Sequence, residues 1–108
     1  MRKKFMLVSK LAEQTARQAA SSVERWKSYL DTACRVYKYG FEDQLLIFAQ
    51  KPEAAACAEL ELWNRRMGRW VKKGARGIAL IYTDEKGRDG LRYVFDISDT
   101  RPVEGAKT

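Results

Sequence analysis

Ile78-Ala79-Leu80-Ile81-Tyr82 and, after a polar stretch from Asp84 to Gly90, Leu91-Arg92-Tyr93-Val94-Phe95-Asp96-Ile97-Ser98 decide the fold. The first is a short unbroken apolar run, the form of a strand buried on both faces. In the second, Leu91, Tyr93, Phe95 and Ile97 alternate with Arg92, Val94, Asp96 and Ser98, the two-residue period of a half-buried strand. Turn-forming residues separate the two runs, so they suit neighbouring antiparallel strands.

Upstream of Arg69 the period is helical. Ser22 is a candidate N-cap, and Val23, Trp26, Leu30, Ala33 and Tyr37 follow at spacings of three and four. This predicts a helix ending at Gly40 as its C′ residue, with Trp26 and Leu30 in the core. Phe41 to Gln50 predicts a short buried helix with Phe41, Leu45 and Phe48 on one face, stopped by Pro52. Glu53 to Met67 predicts a fourth helix, ending at Gly68, whose stripe is Leu60, Trp63 and Met67, with Trp63 in the core. Residues 9 to 21 are rich in Ala and Gln and have a thin apolar face, so 1–21 reads as a weakly helical N-terminal extension. Arg69 to Lys72 reads as extended and Lys73 to Gly77 as a turn.

Helices first and strands afterwards is the order of an α+β fold, with N-terminal helices packed on a small antiparallel sheet of two to four strands. One domain is expected over 22–100. Residues 101–108, with Pro102, Gly105 and no periodicity, read as a linker or flexible tail, which suggests that a natural chain continues beyond it.

The 108 residues are 45% hydrophobic, enough for one core without cross-links. Cys34 and Cys57 have neither zinc-site nor CxxC spacing; both sit among apolar residues and are expected as buried free thiols. The basic start, Met1 to Lys4, is followed by an apolar run too short for a secretory signal, and no run approaches a membrane span, so a cytoplasmic protein is expected. There is no histidine, which excludes His-based triads and zinc-protease motifs. Neither a P-loop nor a dinucleotide-binding glycine pattern is present. Asp96 and Asp99 suit a turn or cap better than a metal. No catalytic, metal or cofactor residues are expected, and the chain reads as non-enzymatic.

Charge is the second decisive feature. Between Glu61 and Asp84 lie Arg65, Arg66, Arg69, Lys72, Lys73 and Arg76 and no carboxylate, while the other fifteen Lys and Arg nearly balance the 14 acids. Most of the +7 net charge is therefore in one segment, which also holds Trp63, Trp70 and three glycines. Cations interleaved with aromatic rings suit a nucleic-acid strand: charge meets phosphate and rings meet bases. The density falls around glycines rather than on an amphipathic helix, which argues against a membrane surface. A charge run by itself also fits a solvated hairpin rim.

The ordered series Trp26-x-x-Tyr29-Leu30, Tyr37-x-Tyr39-x-Phe41, Asp43-Gln44-Leu45-Leu46-Ile47-x-x-Gln50-x-Pro52, Trp63-Asn64, Gly68-Arg69-x-Val71-x-x-Gly74-x-x-Gly77-Ile78 and Phe95-Asp96-Ile97-Ser98-Asp99-Thr100 resembles the N-terminal domain of ArdC-type antirestriction proteins. Similar domains stand at the front of primase, helicase or methylase proteins of conjugative transposons. The resemblance covers roughly residues 22 to 100 and implies a single-stranded DNA-binding domain of α+β type. The metalloprotease domain of those proteins lies downstream of the resembling region, so no protease activity is carried over.

Taken together, these readings give a candidate site. Lys72, Lys73 and Arg76 stand on a glycine-punctuated hairpin turn, where backbone N–H groups can approach phosphate. Arg65 and Arg69 extend the track. Trp70 either stacks on a base or packs under the sheet. Tyr39 and Gln50, which match the family pattern, are expected to line the groove. The expected partner is single-stranded DNA, bound with little sequence preference. A different reading is a protein–protein docking or dimerisation module holding other domains of a larger conjugation protein, marked by an exposed apolar patch. Mimicry of DNA would need an acidic surface, which the +7 charge opposes.

Overall fold

A computed structural model describes residues 2–103. Four helices, α1 (Arg2–Ala19), α2 (Val23–Arg35), α3 (Phe41–Gln50) and α4 (Leu60–Arg65), accompany five strands. The strands are β1 (Cys57–Ala58), β2 (Arg69–Val71), β3 (Ile78–Thr83), β4 (Asp89–Asp96) and β5 (Thr100–Pro102). They form two antiparallel sheets, one of order β1-β4-β3 and a two-stranded ribbon of β2 and β5. The fold is α+β, as the order of periodicities predicts.

The β3–β4 pairing is the expected one, in the register Ile78 opposite Val94 through Thr83 opposite Asp89, but the phase of β4 is not: Val94 and Asp96 are buried, Tyr93 faces solvent, and Ile97 lies beyond the strand. The turn of the hairpin is held by Asp84, whose Oδ1 accepts from Lys86 N and Arg88 N, both at 2.9 Å. Ile78, Leu80 and Val94 meet Leu46 and Ile47 of α3 and Val8 and Ala12 of α1 in the main core. A second cluster joins Ala19, Tyr29, Ala33 and Leu45.

Helix α1 differs from the expected frayed extension. It starts at Arg2 and buries Val8, Ala12, Thr15 and Ala19, spaced four, three and four, on one face. Small side chains at these places let the helix approach α3 and the sheet closely, which offsets the thinness of its apolar stripe.

Helix α2 begins as expected, with Ser22 Oγ accepting from Arg25 N at 3.1 Å. It ends early, at Arg35, where Val36 N–H donates to Thr32 O. Its inward face also differs: Tyr29, Thr32, Ala33 and Val36 are buried, whereas Val23, Trp26, Leu30 and Tyr37 face solvent. Polar groups can face inward here because each finds a partner. Tyr29 Oη donates to Gln44 Oε1 at 2.8 Å, Thr32 Oγ1 donates to Pro52 O, and Arg35 donates to Ala54 O and Pro52 O. Gly40 caps the start of α3 at φ −67° rather than closing α2 in a left-handed turn. In α3, Leu45, Leu46 and Ile47 are buried, but Phe41 is exposed.

The predicted helix over 53–67 forms only at Leu60–Arg65, and of its stripe only Trp63 is buried. Residues before it are claimed by the sheet. Ala55 N and Ala56 N donate to Asp96 Oδ1 at 2.7 and 3.0 Å, and Cys57 pairs opposite Asp96. Trp63 Nε1 donates to Phe95 O at 2.9 Å, which joins α4 to the same strand. Cys57 is half-buried, and Cys34 is exposed instead of buried. Of the expected tail, Arg101 and Pro102 belong to β5, and 104–108 lie outside the described residues. No described helix is long and apolar enough to cross a membrane.

Candidate functional site

The basic segment begins on α4, crosses Gly68 and runs through β2. Gly68 takes φ +62°, a left-handed conformation that lets the chain turn from α4 into the strand. The partner of β2 is β5, not β3: Arg69 lies opposite Pro102, Trp70 opposite Arg101 and Val71 opposite Thr100. The 72–77 segment is therefore a connection between two sheets and not the turn of a hairpin, a correction to the reading from sequence. Its first part is a tight turn in which Ala75 N–H donates to Lys72 O at 3.1 Å and Gly74 takes φ +84°.

Trp70 is 44% exposed, which answers the choice between stacking outward and packing under the sheet: its ring is available. Directly opposed residues on an antiparallel pair project to the same face, so Trp70 and the exposed Arg101 stand side by side. Lys72, Lys73 and Arg76 are exposed. Lys72 Nζ donates to Ser98 O at 3.2 Å, and its backbone N donates to Asp99 O at 2.8 Å. Arg69 is half-buried and pinned across the ribbon, with Nε donating to Thr100 Oγ1 at 2.6 Å and Nη2 to Thr100 O at 3.3 Å.

Among the described residues, none of Arg65, Arg66, Arg69, Lys72, Lys73 and Arg76 forms an ion pair. The nearby carboxylates are used elsewhere: Asp43 and Glu59 by Arg92 at 3.0 and 3.3 Å, Asp84 by Arg88 at 2.8 Å, and Asp99 by Lys51 at 3.2 Å. The six cations are thus free of direct ion pairs, although Glu59 and Glu61 border the same cleft as Arg65 and Arg66, and Glu53 and Asp99 the same cleft as Arg76.

Two clefts flank it. One of about 490 Å³ is lined by Tyr39, Leu62, Arg65 and Arg66 together with Glu59 and Glu61. The other, of about 390 Å³, lies between Gln50 and Lys51 at the end of α3, Arg76 and Gly77 of the connection, and Asp99. The eight residues singled out in the sequence therefore do not share one groove. Tyr39 and Arg65 meet at the first cleft, Gln50 and Arg76 at the second, and Arg69, Trp70, Lys72 and Lys73 belong to the ribbon and its extension.

Two of the eight have structural duties. Gln50 Oε1 accepts from Ala79 N at 2.9 Å, and its Nε2 donates to Ala79 O at 2.9 Å and to Leu46 O at 3.0 Å. Its carboxamide thus pairs with the open edge of β3 as a neighbouring strand would. Tyr39 Oη donates to Cys57 O at 2.9 Å, and the Arg92 guanidinium lies 5.9 Å from its ring centre. Burial, followed by the neighbouring Cys57, pushes the Tyr39 phenol up to about 12. Lys51, in contrast, is held above its ordinary value: burial works against its charge, but the hydrogen bond and charge of Asp99 prevail.

Two cations were not legible as site residues. Arg101 acquires its place only through the β2–β5 register, and Lys51 only through the packing of α3 beside the connection. No protein-family model, curated protein or solved structure matches the chain.

Proposed function

We propose that this is a non-catalytic single-stranded DNA-binding domain, with β2 and the 72–77 connection as its contact surface. The observation that carries the reading is an exposed Trp70 beside exposed cations that form no ion pair among the described residues. Lys72, Lys73, Arg76 and Arg101 meet phosphates, and the released counterions drive a binding that is indifferent to sequence. Trp70 stacks on a base, a contact open to every base because each has a π face. Single strands are favoured because only unpaired bases offer that face. The resemblance to ArdC-type N-terminal domains supports the same reading, and with it a cytoplasmic role in a larger mobile-element protein concerned with conjugation or antirestriction.

Fluorescence anisotropy of a labelled single-stranded oligonucleotide, titrated at two salt concentrations with a hairpin duplex as competitor, tests it. Affinity should fall with salt, and the duplex should compete poorly. Trp70→Ala should weaken binding by about 1–3 kcal/mol. Lys72→Ala with Lys73→Ala should lower the slope of log affinity against log salt by about 1.4 if both contact phosphate. Affinity that stays flat through the physiological salt range would remove the DNA reading. The reading that would then lead is a protein–protein docking or dimerisation module, favoured by the exposed apolar residues of α2.

A further inference from the structure

Helix α2 presents an apolar stripe that no described element covers. Val23 is 70% exposed, Trp26 40% and Leu30 39%, at spacings of three and four. Phe41, at the start of α3, extends the patch. Trp26 and Phe41 both pack on the buried Tyr29, at centroid distances of 5.2 and 6.0 Å, so one buried ring joins the two exposed ones. Rings and branched aliphatics in such a row form a surface that water disfavours and a second helix can cover.

The charges beside the stripe select the occupant. Helical geometry places Lys27 and Asp31 along its outer flank, one turn apart. Both are exposed, and among the described residues neither forms an ion pair, although their spacing would permit one within the helix. When two identical helices pack antiparallel about a two-fold axis, each flank meets its own copy running the other way. With the axis level with Tyr29, Lys27 stands against the partner's Asp31, and Asp31 against the partner's Lys27. The row is self-complementary in that direction.

We infer that this face binds a second copy of the chain, α2 against α2, antiparallel, with Trp26 and Leu30 at the centre and the two Lys27–Asp31 pairs at the rim. The inference is independent of the DNA reading, since it uses none of the cations of the 65–76 segment.

Sedimentation equilibrium of the 108-residue chain, from micromolar to near-millimolar concentration, tests it. The weight-average mass should rise from 12.5 kDa toward twice that value. Leu30→Glu should hold the mass at one chain while its circular dichroism still shows the folded chain at the working temperature, and Val23→Glu, at a position 70% exposed, should weaken the dimer with the melting of the parent. Lys27→Glu and Asp31→Lys alone should each raise the dissociation constant about tenfold or more, because symmetry places two like-charge contacts at the rim. The double variant Lys27→Glu with Asp31→Lys should bring it back near the parent's. A mass of one chain at every concentration would overturn the proposal. So would a dimer equally stable in the parent and both single-charge variants, which would place the interface elsewhere.

Discussion

At the scale of single residues, Asp96 has the largest set of obligations. Its two oxygens accept from Ala55 N, Ala56 N, Ser98 N and Ser98 Oγ, so one carboxylate fixes the loop before β1 and the 3-10 turn after β4. The residue is 2% exposed, and burial alone would raise its pKa; the bonds from Ser98, Ala56 and Ala55 outweigh that and hold it below the ordinary value. A carboxyl depressed in the fold contributes its stability above its unfolded pKa of about 3.9 and loses it as pH falls through the folded value. Asp96→Asn should therefore lower stability at neutral pH by about 1–3 kcal/mol, because an amide leaves one donor facing another. Chemical denaturation at pH 7 and in acid checks this: the gap between parent and variant should narrow as acid protonates Asp96. The turn role expected of Asp96 from sequence is the one it has, with the addition of a long-range tie to residues 55 and 56 that no local pattern announces.

The two thiols make a second contrast at this scale. Burial and the neighbouring Asp96 push the Cys57 thiol up to about 12, so almost no thiolate forms there at neutral pH. Cys34 is exposed. A maleimide at neutral pH should modify Cys34 quickly and Cys57 only after denaturant is added, as peptide mass spectrometry would read. Rapid labelling of Cys57 in the native protein would contradict the packing around Tyr39.

Among the elements, Gln50 illustrates why a residue's type and position do not reveal its task. A Gln at the end of an amphipathic helix reads as a surface polar group, and only the placement of α3 against the open edge of β3 gives it Ala79 as a partner. Gln50→Ala should cost about 1–3 kcal/mol of stability by leaving Ala79 N and O without that partner, while any affinity for the single-stranded DNA proposed above, per folded molecule, should stay within about twofold of the parent. Paired melting and anisotropy titrations separate the two effects. The connection after β2 offers a similar division between its glycines. A Cβ on Gly77 would lie 3.1 Å from Tyr93 Cβ and 3.3 Å from Phe95 Cζ, whereas Gly74 meets nothing within 4 Å but has φ +84°. Gly77→Ala should be the more destabilising of the two in a thermal melt, since it meets packed rings, and Gly74→Ala should cost about 1–2 kcal/mol from backbone strain alone.

The β3–β4 pairing and the Ser22 cap were readable from sequence because each depends on local order, but the alternation along β4 points the wrong face inward: Val94 and Asp96 are buried, whereas Tyr93 and Ile97 are exposed. The phase of α2 was not readable either. Two faces of that helix carry aromatic or aliphatic residues at helical spacing, and the buried one includes Thr32, whose hydroxyl becomes acceptable inside only because Pro52 O receives it. Strand β2 was readable as extended but not in its pairing, since three residues hold too little alternation to choose between β3 and a segment thirty residues on. For the same reason Trp70 was legible as a candidate and Arg101 was not.

For the molecule as a whole, charge and hydrophobicity are separated in the chain. The cations free of ion pairs belong to α4, β2 and the connection, whereas the exposed apolar stripe belongs to α2 and the start of α3. Salt should accordingly act on the two surfaces in opposite ways. Raising it would weaken the phosphate contacts of the proposed DNA surface through counterion release. It also screens the repulsion between two chains of net charge +7 while leaving apolar burial intact.

The ribbon has a further consequence. Val103 N–H donates to Gly68 O at 2.9 Å, so the chain leaves the described fold antiparallel to, and one strand's width from, the segment that carries Trp70. A dye coupled to a cysteine placed at position 103, after Cys34 is replaced, would sit within the range of energy transfer from the Trp70 indole. On the proposed single-stranded DNA reading, a base stacked on that ring would quench the Trp70 donor and dim its share of the acceptor signal above the background from Trp26 and Trp63, so occupancy would be read without a label on the oligonucleotide.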